Sequence, residues 1–444
     1  MTKRPHRAAA PVRPAAHPGL PARRRACDLV DAVLVRRRPL DEALEERTEL
    51  DAPDRALARK IAATTLRRLG SIDKALGERL AKGLPEGLPR LGTILRTAAC
   101  QILFLDVPDY AAVDSAVRMV EANGKTKGFA GLANAVLRGI GRDKADLLGA
   151  LDPLDDLPAW LRERWIAAYG EAETRAIASI IVVEPPLDLT VKSDPRGWAG
   201  RLGGTLTPTG SVRLKPEGAI PALPGFAEGE WWVQDAAAAI PARLLGDVRG
   251  LAVADLCAAP GGKTAQLALA GAKVTAIDRS PRRLERLAEN MTRLKLDVTM
   301  LAADAAEIEG RYDAILLDAP CTATGTMRGN PDVMHLKSMT DVEGLGRLQA
   351  RLLDRLGDLL KPGARAVYCT CSLEPEEGEN QIAALLARDD RLTLDPIRPD
   401  EIDGIAAFVT PTGYMRTLPS HWPATDAALA GLDGFFAARL LRRA

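Results

Sequence analysis

From residue 22 to about residue 142, apolar positions recur every three or four residues, as in Leu29, Val30, Val33 and Leu34 and again in Ile94, Leu95, Ala98 and Ile102. That spacing draws one apolar stripe along each segment and predicts an all-α domain. Asp106-Val107-Pro108-Asp109 punctuates the start of a helix from Tyr110 to Glu121. Pro153 and Pro158 close this stretch, and 158–183 reads as two short helices split at Tyr169-Gly170. Alternation predicts a strand over 187–191, and 203–212 is turn-rich with β-branched residues. From Val233 the texture changes, with strands predicted at 252–256, 273–277, 298–302, 313–317, 364–369 and 406–409 and helical segments between most of them. Repeated βα units imply a parallel, doubly wound, Rossmann-like sheet, in which ligands bind beyond the carboxyl ends of the strands. The expected organisation is a disordered basic arm over 1–21, an all-α domain over 22–145, a small α+β segment over 146–235 and the α/β domain over 236–444.

Composition narrows the functional classes. The chain has 444 residues, 47% hydrophobic and 27% charged, which suits two or three globular domains. Aromatic residues make up only 4%, against the large stacking platforms that some RNA-binding sheets use. No stretch approaches the roughly 18 uncharged apolar residues of a membrane helix, and Pro11, Pro14, Pro18 and Pro21 interrupt any secretory core. A cytoplasmic protein with no membrane partner is expected. The net charge of +1 conceals a basic beginning, with ten Lys/Arg against Asp28 and Asp31 in residues 1–38. Such an arm suits contact with a polyanion; a solvated, proline-broken tail is the alternative. Six cysteines make no disulfide framework and point to a reducing compartment with functional thiols. No sustained heptad marks an oligomer seam, so a monomer is expected.

The polar residues of the C-terminal half fall at strand ends. Asp255-Leu256 runs into Cys257-Ala258-Ala259-Pro260-Gly261-Gly262-Lys263-Thr264, a turn that opens a helix. Its small residues let backbone approach a ligand, its free amides favour an anion, and Lys263 adds a positive charge. The pattern is neither G-x-G-x-x-G nor the triphosphate loop, which disfavours dinucleotides and nucleoside triphosphates. Asp278 ends the second strand, where a carboxylate can accept both hydroxyls of a ribose. Asp304 ends the third and could receive the exocyclic amine of adenine; capping the next helix is the simpler role for either. Anion, ribose and adenine contacts without a triphosphate loop suggest S-adenosylmethionine.

Two thiols follow the next strands, in Asp318-Ala319-Pro320-Cys321 and in Cys369-Thr370-Cys371-Ser372. Neighbouring strands would bring Cys321 and Cys371 into one cleft. Carbon-5 of a pyrimidine is a poor nucleophile; a thiolate adding at carbon-6 makes it an enamine that can take a methyl group. The carbon-5 proton must then leave so that the thiol is expelled, which calls for a base. Asp318 could hold the amino edge of the ring. Cys369, inside the strand, reads as a core residue. A metal site is disfavoured, since Cys321, Cys369 and Cys371 contain no C-x-x-C pair and no nearby His.

These residues together resemble the RNA 5-methylcytosine methyltransferases of the RsmB/Sun/Fmu family, which act on bacterial small-subunit ribosomal RNA. Asp106 to Val113 and Asn134 to Arg138 resemble the NusB-type RNA-binding helical domain. Trp231-Trp232-Val233-Gln234-Asp235 resembles the entry to the methyltransferase domain, and Asp433-Gly434-Phe435-Phe436-Ala437-Ala438-Arg439 its last strand. The resemblance implies that the turn 257–263 lines the S-adenosylmethionine site with Asp278, Asp304 and Asp318. It also implies that Cys371 is the nucleophile and that Cys321 assists product release; spacing alone leaves those two roles open. It implies methylation of cytosine in 16S ribosomal RNA, with transfer RNA as an alternative substrate and a non-catalytic assembly factor as an alternative function. His335 and Lys192-Ser193-Asp194 depart from the family pattern.

Overall fold

The structure is a computed structural model that describes residues 17–80, 83, 87–215 and 218–444. The chain divides into two compact units, Met1–Leu151 and Asp152–Ala444.

The described part of the first unit is helical. Its longest helices are Leu20–Leu34, Ala52–Arg67, Pro89–Phe104, Asp109–Glu121 and Ala130–Arg142. The three- and four-residue periodicity is spent on burial: Leu29, Val30, Ile61, Leu66, Leu95 and Ile102 are fully enclosed, and each such side chain contributes about 1.5–3 kcal/mol. Asp31 ties two helices together by accepting from Arg90 Nη1 at 2.6 Å and Thr93 Oγ1 at 2.5 Å. Not all of the basic run lies within the arm expected over 1–21. Residues 1–16 lie outside the described residues, but the first helix begins at Leu20, with Pro21 in its first turn where a missing N–H costs nothing. Arg23 belongs to this helix, buried, with Nε donating to Gln101 at 2.7 Å. Arg25 and Arg38 pair with Glu46 at 3.1 and 2.7 Å. Part of the basic run is therefore structural.

The second unit opens with the helices Ala159–Tyr169 and Glu171–Ile181, divided at Gly170. An antiparallel sheet follows, built from β1 (Leu187–Val191), β2 (Thr205–Leu206), β3 (Val212–Leu214) and β4 (Trp231–Val233) in the order β2-β3-β1-β4. Arg213 on β3 binds Asp188 on β1 through two 2.7 Å hydrogen bonds.

The large sheet comprises β5 (Ala252–Leu256), β6 (Lys273–Asp278), β7 (Thr299–Ala302), β8 (Tyr312–Asp318), β9 (Leu360–Thr370), β10 (Leu392–Leu394), β11 (Met415–Thr417) and β12 (Phe435–Arg442). Its order is β10-β12-β9-β8-β5-β6-β7, with β11 paired to β12. Strands β5 to β9 are parallel, whereas β12 runs antiparallel beside β9, so the sheet is mixed rather than wholly parallel. Alternation along β8 sorts its side chains onto two faces: Ile315 and Leu317 join a core with Leu352 and Tyr368, and Ala314 and Leu316 join another with Val367 and Cys369. Cys369 is fully buried there. The strand expected at 406–409 is instead a 3-10 turn, Ala406–Phe408. Ile405 and Phe408 are the buried pair, and their spacing of three matches the 3-10 period rather than a strand's two.

Candidate active site

Strands β5, β8 and β9 are adjacent and parallel, with β6 on the other side of β5, so their carboxyl ends open into one crevice beside the point where strand order reverses. The turn after β5 is strained in the way a close backbone approach requires. Cys257 takes a left-handed φ of +65°, uncommon for a residue with a side chain. Gly261 has φ +102°, and a Cβ there would lie 2.9 Å from Leu287 Cγ. Beneath the turn, Asp255 is fully buried and accepts from Thr264 Oγ1 at 2.5 Å, while its Oδ1 has no hydrogen-bond partner. Burial raises its carboxyl to about 7 against that hydrogen bond.

Cys257, Asp278 and Asp304 line one narrow cleft, closed by Ile277, Pro320, Leu348 and Leu352. Asp278 Oδ1 accepts the Ser280 N–H at 2.9 Å, and its Oδ2 meets the Ala259 N–H at 3.3 Å and Arg283 Nη1 at 3.1 Å. Asp304 accepts the Ala306 N–H at 2.9 Å and pairs with Arg351 at 3.0 Å. Neither carboxylate caps a helix as weighed from sequence, since Ser280 is the N-cap of the helix Pro281–Leu294 and strand β8 is the next element after Asp304; both instead hold local turns. The Cys257 thiol is pushed up to about 12 by burial and by Asp318 and Asp278, so it is no nucleophile.

A larger cleft of about 510 Å³ continues past the turn, lined among others by Ala258, Pro260, Gly261, Gly262, Lys263, Asp318, Cys371, Asp433 and Phe435. Lys263 does not turn its ammonium to the cofactor turn. Its Nζ lies 2.8 Å from Asp318 Oδ2 and 4.9 Å from the centre of the Phe435 ring. Asp318 Oδ1 receives the Cys369 thiol at 3.5 Å. The Cys321 and Cys371 sulfurs stand 3.5 Å apart. The Cys371 sulfur, burial and the negative charge of Glu377 hold the Cys321 thiol well above its ordinary range. Ala259 and Cys321 line neither cleft; Cys321 reaches the larger one only through Cys371.

The loops carrying the thiols are held by residues that the motifs did not single out. Glu377, fully buried, accepts the Thr322 N–H at 3.0 Å and Gln349 Nε2 at 3.0 Å; Gln349 also donates to the Pro320 carbonyl at 2.8 Å. The Gly325 N–H reaches the Cys371 carbonyl at 3.0 Å, and the Gly434 N–H reaches the Gly325 carbonyl at 2.8 Å. Arg416 donates to the Ser372 carbonyl at 2.6 Å and pairs with Glu379. From the helix Ala159–Tyr169, Arg164 and Trp165 bind the carboxylate of Glu374 at 2.7 and 2.9 Å, and the Tyr169 hydroxyl donates to the Leu373 carbonyl. The acidic run from Glu374 to Glu377, just after Cys371, was the available sequence signal for this anchoring.

Comparison with known proteins agrees with this arrangement. Residues 243–441 match the family model described as 16S rRNA methyltransferase RsmB/F, and residues 20–142 match the NusB family. Ribosomal RNA small subunit methyltransferase B of Cronobacter sakazakii is 33% identical over 411 residues, spanning 88% of this chain and 91% of that protein. The protein of the same name from Xylella fastidiosa strain 9a5c is 36% identical over 410 residues, spanning 88% and 93%. The crystal structure of PH0851 superposes with a TM-score of 0.72 at 25% identity, covering 95% of this chain and 98% of that one. A methyltransferase homolog protein from Pyrococcus horikoshii superposes with a TM-score of 0.52 at 29% identity, covering 63% and 93%. Among the described residues no helix is long and apolar enough to cross a membrane. With the family model matched over residues 243–441 and relatives aligned over 88% of its length, the chain belongs to the RsmB/F family of small-subunit ribosomal RNA methyltransferases, here with a NusB-family domain over residues 20–142.

Proposed function

We propose that the protein methylates carbon-5 of a cytosine in 16S ribosomal RNA with S-adenosylmethionine as donor. The observation that carries this reading is the 3.5 Å approach of Cys321 to Cys371 beside a cleft that also holds Asp318. A single thiol suffices for addition; a second one at contact distance is what a reaction with a separate release step needs.

The donor site fits the residues present. The tight turn brings backbone close, Gly261 has no room for a side chain, and the narrow cleft combines two carboxylates with apolar walls from Ile277 and Leu352. Asp278 would hold the ribose hydroxyls and Asp304 the adenine amine, since a carboxylate already accepting turn amides retains lone-pair sites. When bound, the donor supplies an electrophilic methyl group. Cys371 adds through sulfur to carbon-6 of the cytosine, which makes carbon-5 nucleophilic. Asp318, paired with Lys263 at 2.8 Å, accepts from the amino edge of the ring. After transfer the carbon-5 proton leaves to water on the Cys321 side of the ring, its electron pair restores the C5=C6 bond, and the bond from carbon-6 to Cys371 breaks, a release that Cys321 assists.

The test is incubation with methyl-labelled donor and unmodified 16S ribosomal RNA, followed by nucleoside analysis. Label in 5-methylcytosine is expected. Label confined to transfer RNA would move the substrate, and none in either RNA would leave a binding factor.

A further inference from the structure

Addition of Cys371 begins with loss of its thiol proton, and none of the groups given a role above is suited to receive it. Lys263 and Asp318 are occupied with each other at 2.8 Å. The Cys321 thiol keeps its own proton, for the reasons already given. Two further carboxylates share the cleft with Cys371, those of Asp235 and Asp433; Asp235 Oδ1 is already engaged by the Ala237 and Asp433 N–H groups at 2.7 and 3.2 Å, which leaves Asp433. Its position is fixed through its backbone: the N–H donates to Asp235 Oδ1 at 3.2 Å and the carbonyl accepts from Thr417 Oγ1 at 2.8 Å. The next residue, Gly434, binds Gly325, which in turn binds the Cys371 carbonyl. Two backbone hydrogen bonds therefore tie Asp433 to the nucleophile's own peptide.

We propose that Asp433 is the general base that accepts the Cys371 thiol proton, through one intervening water, as sulfur adds to carbon-6. This rests on the function proposed above. The S–H bond breaks and its proton passes to the carboxylate while the sulfur electron pair forms the S–C6 bond. The C5=C6 pair then attacks the methyl group, whose former bonding electrons stay with the donor sulfur. At elimination the C6–S pair returns to Cys371, which recovers the proton from the Asp433 carboxyl. The proton lost overall is that of carbon-5.

The surroundings suit the role. Burial, Asp235 and Cys371 itself push the Asp433 carboxyl well above its usual range; Asp188 adds to this and Arg328 opposes it. Arg213 also attracts the group, but its donors are spent elsewhere, Nε and Nη2 on Asp188 and Nη1 on the Leu429 and Gly431 carbonyls. A carboxylate whose affinity for protons is raised takes the thiol proton with less of a climb than an exposed carboxylate near ~3.9.

Single-turnover methyl transfer by the full chain to 16S ribosomal RNA, followed from acid to alkaline pH, tests the proposal. The wild type should fall off toward acid pH as Asp433 gains its proton. Asp433→Asn should be roughly 100- to 1,000-fold slower at pH 7, its rate climbing about tenfold per pH unit as free thiolate takes over. Its affinity for S-adenosylmethionine should stay within about two-fold of wild type, and Asp433→Glu should recover part of the rate. A wild-type rate at pH 7 in Asp433→Asn overturns the proposal, and so does slowing by one constant factor at every pH. Should Asp433→Asn not fold, Asp433→Ser with added formate replaces it: saturable acceleration supports the base, and no acceleration overturns it. A wild-type protein that methylates no cytosine would fail the proposed function instead.

Discussion

Cys371 lies with its sulfur 3.5 Å from that of Cys321, although 50 positions separate them in sequence. The approach follows from the register of two parallel strands, in which Asp318 of β8 is paired with Cys369 of β9. Each thiol sits two or three residues beyond that pair, and the chain turns there into loops bonded to one another.

Replacing the two thiols should give opposite phenotypes. Cys371→Ser should lose methyl transfer by roughly 10⁴-fold or more and form no covalent protein–RNA species. Cys321→Ser should still add to RNA and accumulate the adduct, seen as a shifted band of labelled RNA on a denaturing gel. Normal turnover by Cys321→Ser would reverse the assignment of roles.

Asp278→Ala should weaken S-adenosylmethionine binding by about 10- to 100-fold, the value of one charged hydrogen-bonding group. Isothermal titration on the RNA-free protein reads this directly. An unchanged affinity would remove Asp278 from the donor site and leave it as a turn cap.

Asp255 makes the free protein sensitive to alkali. Its folded carboxyl, raised to about 7 from an ordinary 3.8, binds a proton that the unfolded chain has released. The stabilisation is therefore complete below about pH 4 and lost as pH rises through 7. Asp255→Asn should flatten this slope and be more stable than wild type at pH 8 by about 2–4 kcal/mol. Urea unfolding of both proteins at pH 5 and pH 8 checks the sign.

Gly325 tolerates no side chain. A Cβ there would fall 1.9 Å from the Gly434 carbonyl oxygen, which is backbone and cannot swing aside. Gly325→Ala should cost about 2 kcal/mol or more in stability and reduce methyl transfer at least about tenfold, by separating the two thiol loops. Thermal melts and single-turnover rates measure the two effects.

The readable parts of this molecule were those set by local rules. Strand β5 lies where expected, and β6, β8 and β9 differ from expectation by only a few residues, because buried strands carry near-continuous apolar runs, which Asp255 interrupts in β5. The motif residues stand at strand ends because turn chemistry is local too. What escaped was decided at a distance. The partner of Lys263 is Asp318, 55 positions away, and nothing beside either residue announces it. Asp235 and Asp433 looked like boundary residues; the hydrogen bond from the Asp433 N–H to the Asp235 carboxylate spans 198 positions. Arg23 read only as one charge of a basic run because its partner Gln101 lies 78 residues downstream. The 3-10 turn at Ala406–Phe408 escaped for a different reason, since a short apolar run has no period long enough to identify.

The grip of Arg164, Trp165 and Tyr169 on the segment from Leu373 to Glu376 bears on how small a working fragment can be. Those three side chains precede the stretch that matches the methyltransferase family, residues 243–441. A protein trimmed to that match would keep both sulfurs, the donor turn and every strand of the large sheet, yet leave Glu374 buried without its guanidinium and indole partners. The minimal catalyst therefore starts upstream of residue 159, and activity assays on shorter pieces would measure the loss of a brace rather than the power of the chemistry.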